Sequence, residues 1–543
     1  MSTLRLLLIA CLCGALVSPS SAVPPDAHPT PSVAKAREQA ALPSGHWLAL
    51  GKRELSLVDA AGQVLTTVPA QAEQIDSRPT GRGALVALLD TETRQPLLYD
   101  VDLASARLTP AIAPAPTLVP EALCLYRDAQ ALDHLFLIGK DGQAEQWLLS
   151  GPAPQRLRQL ALPPQLKRCR TDDARGLLLV DEPGVGTWAY AADGEGVPSR
   201  TLLGGKKAPR IARHPDSPRP PVPIVVPQAQ TDPVARRGDA ADDPALWIHP
   251  GDVTRSLVLA TNKKQGMLSY DLQGRQRQLV EAGRLNNVDI RQGVRLGDRT
   301  VDVAIATQRD EHALAVFEID ADGQLRDVGR IATGLQDVYG TCLYRPFEGG
   351  LEAFVNDKDG RFEHYRIERT GDVFGGKLLR RFSTATQPEG CVVDDKAGRL
   401  FYGEEDRGIW VMAAAADARG NDAKPRLILP VGRKLVADVE GLALYRGARA
   451  SYLVASSQGN DSYVVLDAAP PYRYRGAFRI GINADAGIDG ASETDGLDVT
   501  AVDLGGPYID GMLVVQDGYK RLPDDAQNFK YVAWRDIARA LGL

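Results

Sequence analysis

Short apolar runs broken by polar turns set the pattern of this chain. Leu257-Val258-Leu259-Ala260 and Met267-Leu268-Ser269-Tyr270 flank Asn262-Lys263-Lys264-Gln265-Gly266, and Arg399-Leu400-Phe401-Tyr402 and Gly408-Ile409-Trp410-Val411 flank Glu404-Glu405-Asp406. Such β-rich runs, punctuated by Gly, Asp and Asn, predict strands joined by hairpins. The last residues, Trp534 to Leu543, read as a helix that follows a final strand. A longer period lies over this pattern. Acidic or polar turns open apolar runs at Asp242-Asp243-Pro244, Asn286-Asn287-Val288-Asp289, Val338-Tyr339-Gly340, Pro388-Glu389-Gly390, Val439-Glu440-Gly441 and Thr494-Asp495-Gly496. Counting from Asp243 to Asp289, Tyr339, Glu389, Glu440 and Asp495, the steps are 46, 50, 50, 51 and 55 residues. A strand-rich repeat near 50 predicts a β-propeller with one four-stranded blade per repeat. The fold class is therefore all-β, with a six-bladed propeller whose equivalent loops ring one end of a central channel.

The first half repeats the second. Leu123-Cys124-Leu125-Tyr126-Arg127 matches Thr341-Cys342-Leu343-Tyr344-Arg345 at an offset of 218, and Lys140-Asp141-Gly142 matches Lys358-Asp359-Gly360 at the same offset. Cys169, Asp172-Asp173 and Trp188 match Cys391, Asp394-Asp395 and Trp410 at an offset of 222. The first half is expected to be an incomplete propeller-like domain that copies the first four repeats and lacks the last two. Its copy has lost the charged positions: Lys167 stands against Glu389, Pro183 against Glu405, Thr91 against Arg309 and Glu121 against Tyr339. A structural or oligomerisation module and an accessory binding role both remain open for it.

Length and composition refine this division. At 543 residues two domains are expected. Arg5, the apolar stretch Leu6 to Val17 and Ser20-Ser21-Ala22 form a secretory signal pattern. The expected divisions are a signal at 1–22, a mobile segment at 23–44, the incomplete domain at 45–205, a Pro-rich linker at 206–224 and the six-bladed domain at 225–543. The protein is expected to be exported, to the periplasm or beyond, and to be monomeric, with no membrane association once the signal is cleaved. A net charge of -6 argues against general nucleic-acid binding. Four cysteines remain after the signal, and the equivalence of the two halves pairs Cys124 with Cys169 and Cys342 with Cys391 as disulfides, with buried free thiols as the alternative.

The motifs named above occur in one order with Thr261-Asn262-Lys263-Lys264, Glu404-Glu405-Asp406, Asp438-Val439-Glu440-Gly441, Ser456-Ser457-Gln458-Gly459-Asn460, Thr494-Asp495-Gly496-Leu497-Asp498 and Gln516-Asp517-Gly518. Over residues 225–543 this resembles the β-propeller phytases, calcium-dependent enzymes that remove phosphate from phytate (myo-inositol hexakisphosphate). The first half is similar to the degenerate extra domain of their two-domain members. The resemblance implies phosphate contacts at Lys263, Arg309, Tyr339 and Lys358, calcium positions at Asp242, Asp243, Glu389, Asp438, Glu440, Gln458, Asp489 and Asp495, and an active-site glutamate at Glu405. Asp517 joins the acidic set that calcium would neutralise, and Glu389, Glu405, Arg309 and Lys263 are the expected catalytic group. Calcium takes six to eight hard oxygen ligands, so loops of several blades must converge to hold it. The substrate is expected to arrive as its calcium complex. One departure stands out: Tyr519-Lys520 follow Gln516-Asp517-Gly518 where the family continues with acidic and amide residues. Two other readings stay in view, a non-enzymatic calcium-dependent propeller that binds phosphorylated ligands and a hydrolase of a different phosphoester. Two decoys fall away. Cys169 and Arg175 have the spacing of a cysteine phosphatase, but Asp172-Asp173 between them would repel phosphate. Arg213-His214 is followed by Pro215 where a histidine acid phosphatase needs Gly.

Overall fold

The computed structural model describes residues 36–196, 199–203 and 222–543. The signal at 1–22, most of the 23–44 segment and most of the 206–224 linker lie outside the described residues.

The first domain holds four sheets of four antiparallel strands, each in sequence order: Glu38 to Pro69, Ala72 to Ala111, Pro120 to Ala161 and Cys169 to Leu203. The second holds six sheets: four antiparallel strands each over Ala241 to Glu281, Leu285 to Ala332, Val338 to Ser383, Pro388 to Pro430 and Val439 to Ile480, and three over Leu497 to Ala533. The first strand of each sheet is innermost and packs against the first strand of the next, and Leu497–Thr500 returns to Ala241–Trp247 to close the ring. All seven residues of Ala241–Trp247 are buried, as a strand enclosed on both faces requires. Apolar side chains fill the wedges between blades. Leu259, Met267 and Phe317 join the first blade to the second, and Tyr463, Phe478 and Leu513 join the fifth to the sixth.

The sixth blade has only three strands of its own. Its outer edge is completed from the front of the domain, where Ala229–Gln230 pairs antiparallel with Asn528–Ala533. Ile224–Val225 adds in parallel to the outer strand of the fifth blade. Ring closure therefore ties both ends of the domain together and covers edges that would otherwise be open to other strands. The helix Trp534–Leu541 follows, with Trp534 stacked on Tyr445 at 3.9 Å between centroids.

The 50-residue period has a physical cause in the innermost strands. Each of the first five blades shifts register at the acidic or polar turn: between Ala241 and Pro244, Leu285 and Val288, Val338 and Thr341, Pro388 and Cys391, and Val439 and Leu442. A bulge bends the strand and re-aims the extra residue's side chain. Glycines follow because neighbouring blades nearly touch there. A Cβ on Gly340 would collide with the carbonyl oxygen of Glu389, one on Gly390 with that of Glu440, and one on Gly496 with Asp243. The bulge aims the carboxylate, and the glycine lets the blades close around it.

Both disulfides are formed, Cys124 to Cys169 and Cys342 to Cys391, each joining the inner strands of the third and fourth blades of its domain. The likeness of the two halves extends to ion pairs. Arg78 binds Asp76, Asp173 and the carbonyl of Leu125, while Arg291 binds Asp289, Asp395 and the carbonyl of Leu343. Among the described residues of the first domain, the second and third blades alone keep the inner bulge, at Ala72/Ile75 and beside Gly139.

Candidate functional site

The bulges bring their side chains to one mouth of the six-bladed ring, around a cavity of about 340 Å³. Lys263, Tyr339, Glu405, Asp438, Glu440, Gln458 and Asp495 bound it. Carboxylate oxygens of Glu389, Glu405 and Glu440 lie within 4.8 Å of one another. Glu389 and Glu440 come from the inner strands of the fourth and fifth blades. Glu405 comes from the hairpin after Arg399–Glu404 and is held there by Gln387, whose side-chain amide donates to Glu405 Oε1 at 2.6 Å. Asn286 Nδ2 donates to Glu389 Oε1 at 3.1 Å.

Lys263 sits in a nest of acids. Its Nζ lies 2.8 Å from Asp239, 3.1 Å from Asp242 and 2.6 Å from Asp495. Burial alone would lower its pKa, but Asp242, Asp495 and Asp239 outweigh that and hold the ammonium fully charged. Gln458 Nε2 donates to the other oxygen of Asp495 at 2.7 Å. On the adjoining wall two cations lie over the Tyr339 ring, Lys358 Nζ at 4.2 Å and the Arg309 guanidinium at 5.7 Å from its centroid. Arg309 Nη2 also meets Asp337 at 3.1 Å, while its buried Nε has no hydrogen-bond partner.

Three residues of the expected set lie apart from this mouth. Asp243 accepts from Val288 N at 3.0 Å and faces a small cavity of about 40 Å³ with Asp289 and Asp498. Asp489 and Asp517 are fully buried and share the ammonium of Lys530, at 2.7 and 3.0 Å. Lys530 thus supplies beside Asp517 a positive charge of the chain's own. Asp239, Asn286, Gln387 and Glu493 belong to the mouth and were outside the sequence-derived set. Gln387 directly precedes the Pro388-Glu389-Gly390 turn, the one sequence signal that could have found it. Glu493 holds the same place before Thr494-Asp495-Gly496, whereas Asp239 falls on no repeat position.

The donor set suits a hard cation. Every candidate ligand atom is an oxygen, and several are buried with no hydrogen-bond donor: Asp242 Oδ2, Glu440 Oε2 and Asn286 Oδ1. Burial and mutual repulsion raise the acids accordingly. Asp242 is pushed up to about 8, Glu405 to about 7 and Asp495 to about 6, in each case first by burial and then by neighbouring carboxylates including Glu389. Glu440 is held well above the carboxylate range for the same reasons. A divalent cation relieves both costs at once.

A pH dependence follows. These carboxyl groups are raised in the folded state, so between about pH 4 and 8 they bind more protons in the folded protein than in the unfolded chain. Stability without cations is therefore present at low pH and lost as pH rises through the folded pKa values. Calorimetry in chelator should show the melting temperature falling from pH 5.5 to 8, and millimolar calcium should flatten or reverse that fall. A chelated protein that gains stability over this range would contradict the picture of uncompensated acids.

Comparison with known proteins gives two kinds of likeness. A family model described as Phytase matches residues 220–543. The 3-phytase of Bacillus subtilis (strain 168) is 40% identical over 331 residues, which span 59% of this chain and 85% of that protein. A solved structure of a functionally unknown protein from Desulfotomaculum acetoxidans DSM 771 is 11% identical, with a TM-score of 0.31 over 74% of this chain and 94% of its own, a likeness too low to add to the fold.

Proposed function

The chain belongs to the phytase family, and we infer that it hydrolyses phosphate monoesters of phytate at this mouth with calcium held by its carboxylates. The observation that carries the reading is the convergence of Glu389, Glu405 and Glu440, with unpartnered oxygens nearby, beside the cations Lys263, Lys358 and Arg309. An acidic cluster alone would repel phosphate, and a basic wall alone would not need the acids.

Glu389, Glu405 and Glu440 would hold one ion, while Asp242, Asp438, Gln458 and Asp495 offer oxygens for another across the cavity. Asp243 stands as a further calcium position, whereas Asp489 and Asp517 already share the ammonium of Lys530, which takes the place of a cation there. When bound, calcium supplies positive charge to phosphoryl oxygens and acidity to a coordinated water. The chain's own groups do the rest. Lys263 and Arg309 grip phosphoryl oxygens, the guanidinium through two parallel N–H donors. Tyr339, kept protonated by burial and by Glu389 and Glu440, donates its hydroxyl hydrogen to a phosphoryl oxygen. Glu405, fixed at Oε1 by Gln387, keeps its second oxygen for the ion or for a water beside it. Lys358, a second cation over the Tyr339 ring beside Arg309, offers a place for a neighbouring phosphate, which favours inositol rings carrying several.

The substrate enters as its calcium complex and the protein acts as a monomer. Two disulfides fit an exported protein.

Phosphate release from phytate by the purified protein near neutral pH tests this reading. EDTA should abolish release and excess calcium should restore it. Undiminished turnover in EDTA would overturn the calcium assignment, and calcium binding without turnover in either condition would favour a binding propeller.

A further inference from the structure

One connection of the six-bladed domain touches both domains and the site. Residues 481–496 run from the end of Tyr474–Ile480 to the start of Leu497–Thr500, between the fifth and sixth blades. At the near end the first domain grips this segment. Gln130 Oε1 accepts from Ile482 N at 2.8 Å, and Gln130 Nε2 donates to Ile482 O at 3.1 Å, so one amide satisfies both backbone groups. Gly481 has no side chain to hold Gln130 off, because a Cβ there would overlap its amide. Gln130 is itself fixed in a tight turn, where Asp128 Oδ1 accepts from the backbone of Gln130 and Leu132 at 2.8 and 2.9 Å. Leu148 and Leu157 of the first domain pack against Ile482 and Leu522. Further along, Glu195 Oε1 accepts from Gly490 N at 3.0 Å.

The far end of the same segment enters the mouth. Asp489 is pinned by Lys530 and by the backbone N–H of Arg521. Ser492 N donates to Asp517 Oδ1 at 3.3 Å, and Thr494 Oγ1 donates to Gln516 O at 2.8 Å. Asp495 N then donates to Gln516 Oε1 at 2.9 Å, which sets its carboxylate between Lys263 and Gln458. Every link from Gln130 to Asp495 is a hydrogen bond, an ion pair or a step along one short stretch of chain.

We propose that the first domain is a positioning part of the hydrolase: Gln130 and Glu195 fix residues 481–496 and so hold Asp495 in register with Lys263 and Gln458. This rests on reading the mouth as the active site. It gives the incomplete domain a role that needs none of the charged positions it has lost. It also separates this domain from a mere spacer, since a spacer would have no reason to satisfy the backbone of this one connection. Gln130 and Glu195 are positioning residues and touch no substrate.

The test uses the full-length protein with Gln130→Ala, and with Val86→Ala as a control for general loosening of the first domain, Val86 being buried in its second blade. Hydrogen exchange by mass spectrometry and phytate kinetics at saturating calcium are read on both. Gln130→Ala should speed exchange at 489–496 and lower kcat/KM by roughly 3- to 30-fold, the usual span of such coupling, while Val86→Ala does neither. Unchanged exchange at 489–496, faster exchange with unchanged kcat/KM, or equal effects in Val86→Ala would each overturn the proposal. If the parent protein itself shows no phytate turnover, the functional reading fails, and the exchange measurement still decides whether the first domain holds this segment.

Discussion

Glu389→Gln is expected to lower kcat on phytate by roughly 10²- to 10³-fold, the loss that follows removal of one preorganised charge-stabilising group. Glu389 is the one acid that belongs to the three-glutamate group and also raises Asp242, Asp495, Glu405 and Glu440 through its charge. Glutamine keeps its shape and an acceptor for Asn286 Nδ2, and the backbone contact between Gly340 and Glu389 is untouched. The ring should therefore still close. Removing a charge from a repelling group should also stabilise the protein in EDTA while weakening calcium's stabilising effect. Steady-state kinetics and melting curves with and without calcium read both signs. Turnover within threefold of the parent would remove Glu389 from the mechanism.

Lys263→Met is expected to act most strongly without calcium. Methionine preserves most of the apolar stem, so the change is mainly loss of the ammonium. Asp242, Asp495 and Asp239 then lose the cation they share. Breaking a buried ion pair by removing one partner costs about 3–5 kcal/mol, and Lys263 is largely buried. Urea denaturation in EDTA should show a loss of that order, and calcium should recover part of it. Activity should fall even with calcium present, because the phosphate grip supplied by Lys263 is missing. A variant as stable as the parent in EDTA would mean that the three acids are neutralised in another way.

Much of this was legible in the sequence because the period is imposed by packing. At Glu389-Gly390 and Asp495-Gly496 the glycine is forced by the neighbouring blade, and the acid beside it is aimed inward. Such pairs recur wherever a blade begins, so their spacing reports the blades. The disulfides were legible for a related reason, since the duplication places both cysteine pairs on equivalent inner strands. The closing strand Ala229–Gln230 was not, because two residues carry no alternation and their partner lies about 300 positions away. Lys530 was hidden in the same way. Its neighbours Asn528, Phe529 and Tyr531 read as an ordinary strand, and nothing local shows that its ammonium faces Asp489 and Asp517. Gln130 looked like any turn residue, since its partner belongs to the other domain.

The central claim is that calcium held at Glu389, Glu405 and Glu440 meets substrate phosphate at this mouth. Crystals grown with calcium and myo-inositol hexasulfate, a sulfated mimic of phytate, test it through anomalous scattering. The prediction is an ion bonded to oxygens of these three glutamates, with a sulfate between it and Lys263 or Arg309. A bound hexasulfate with no ion at the three glutamates, or calcium found only elsewhere, would contradict it.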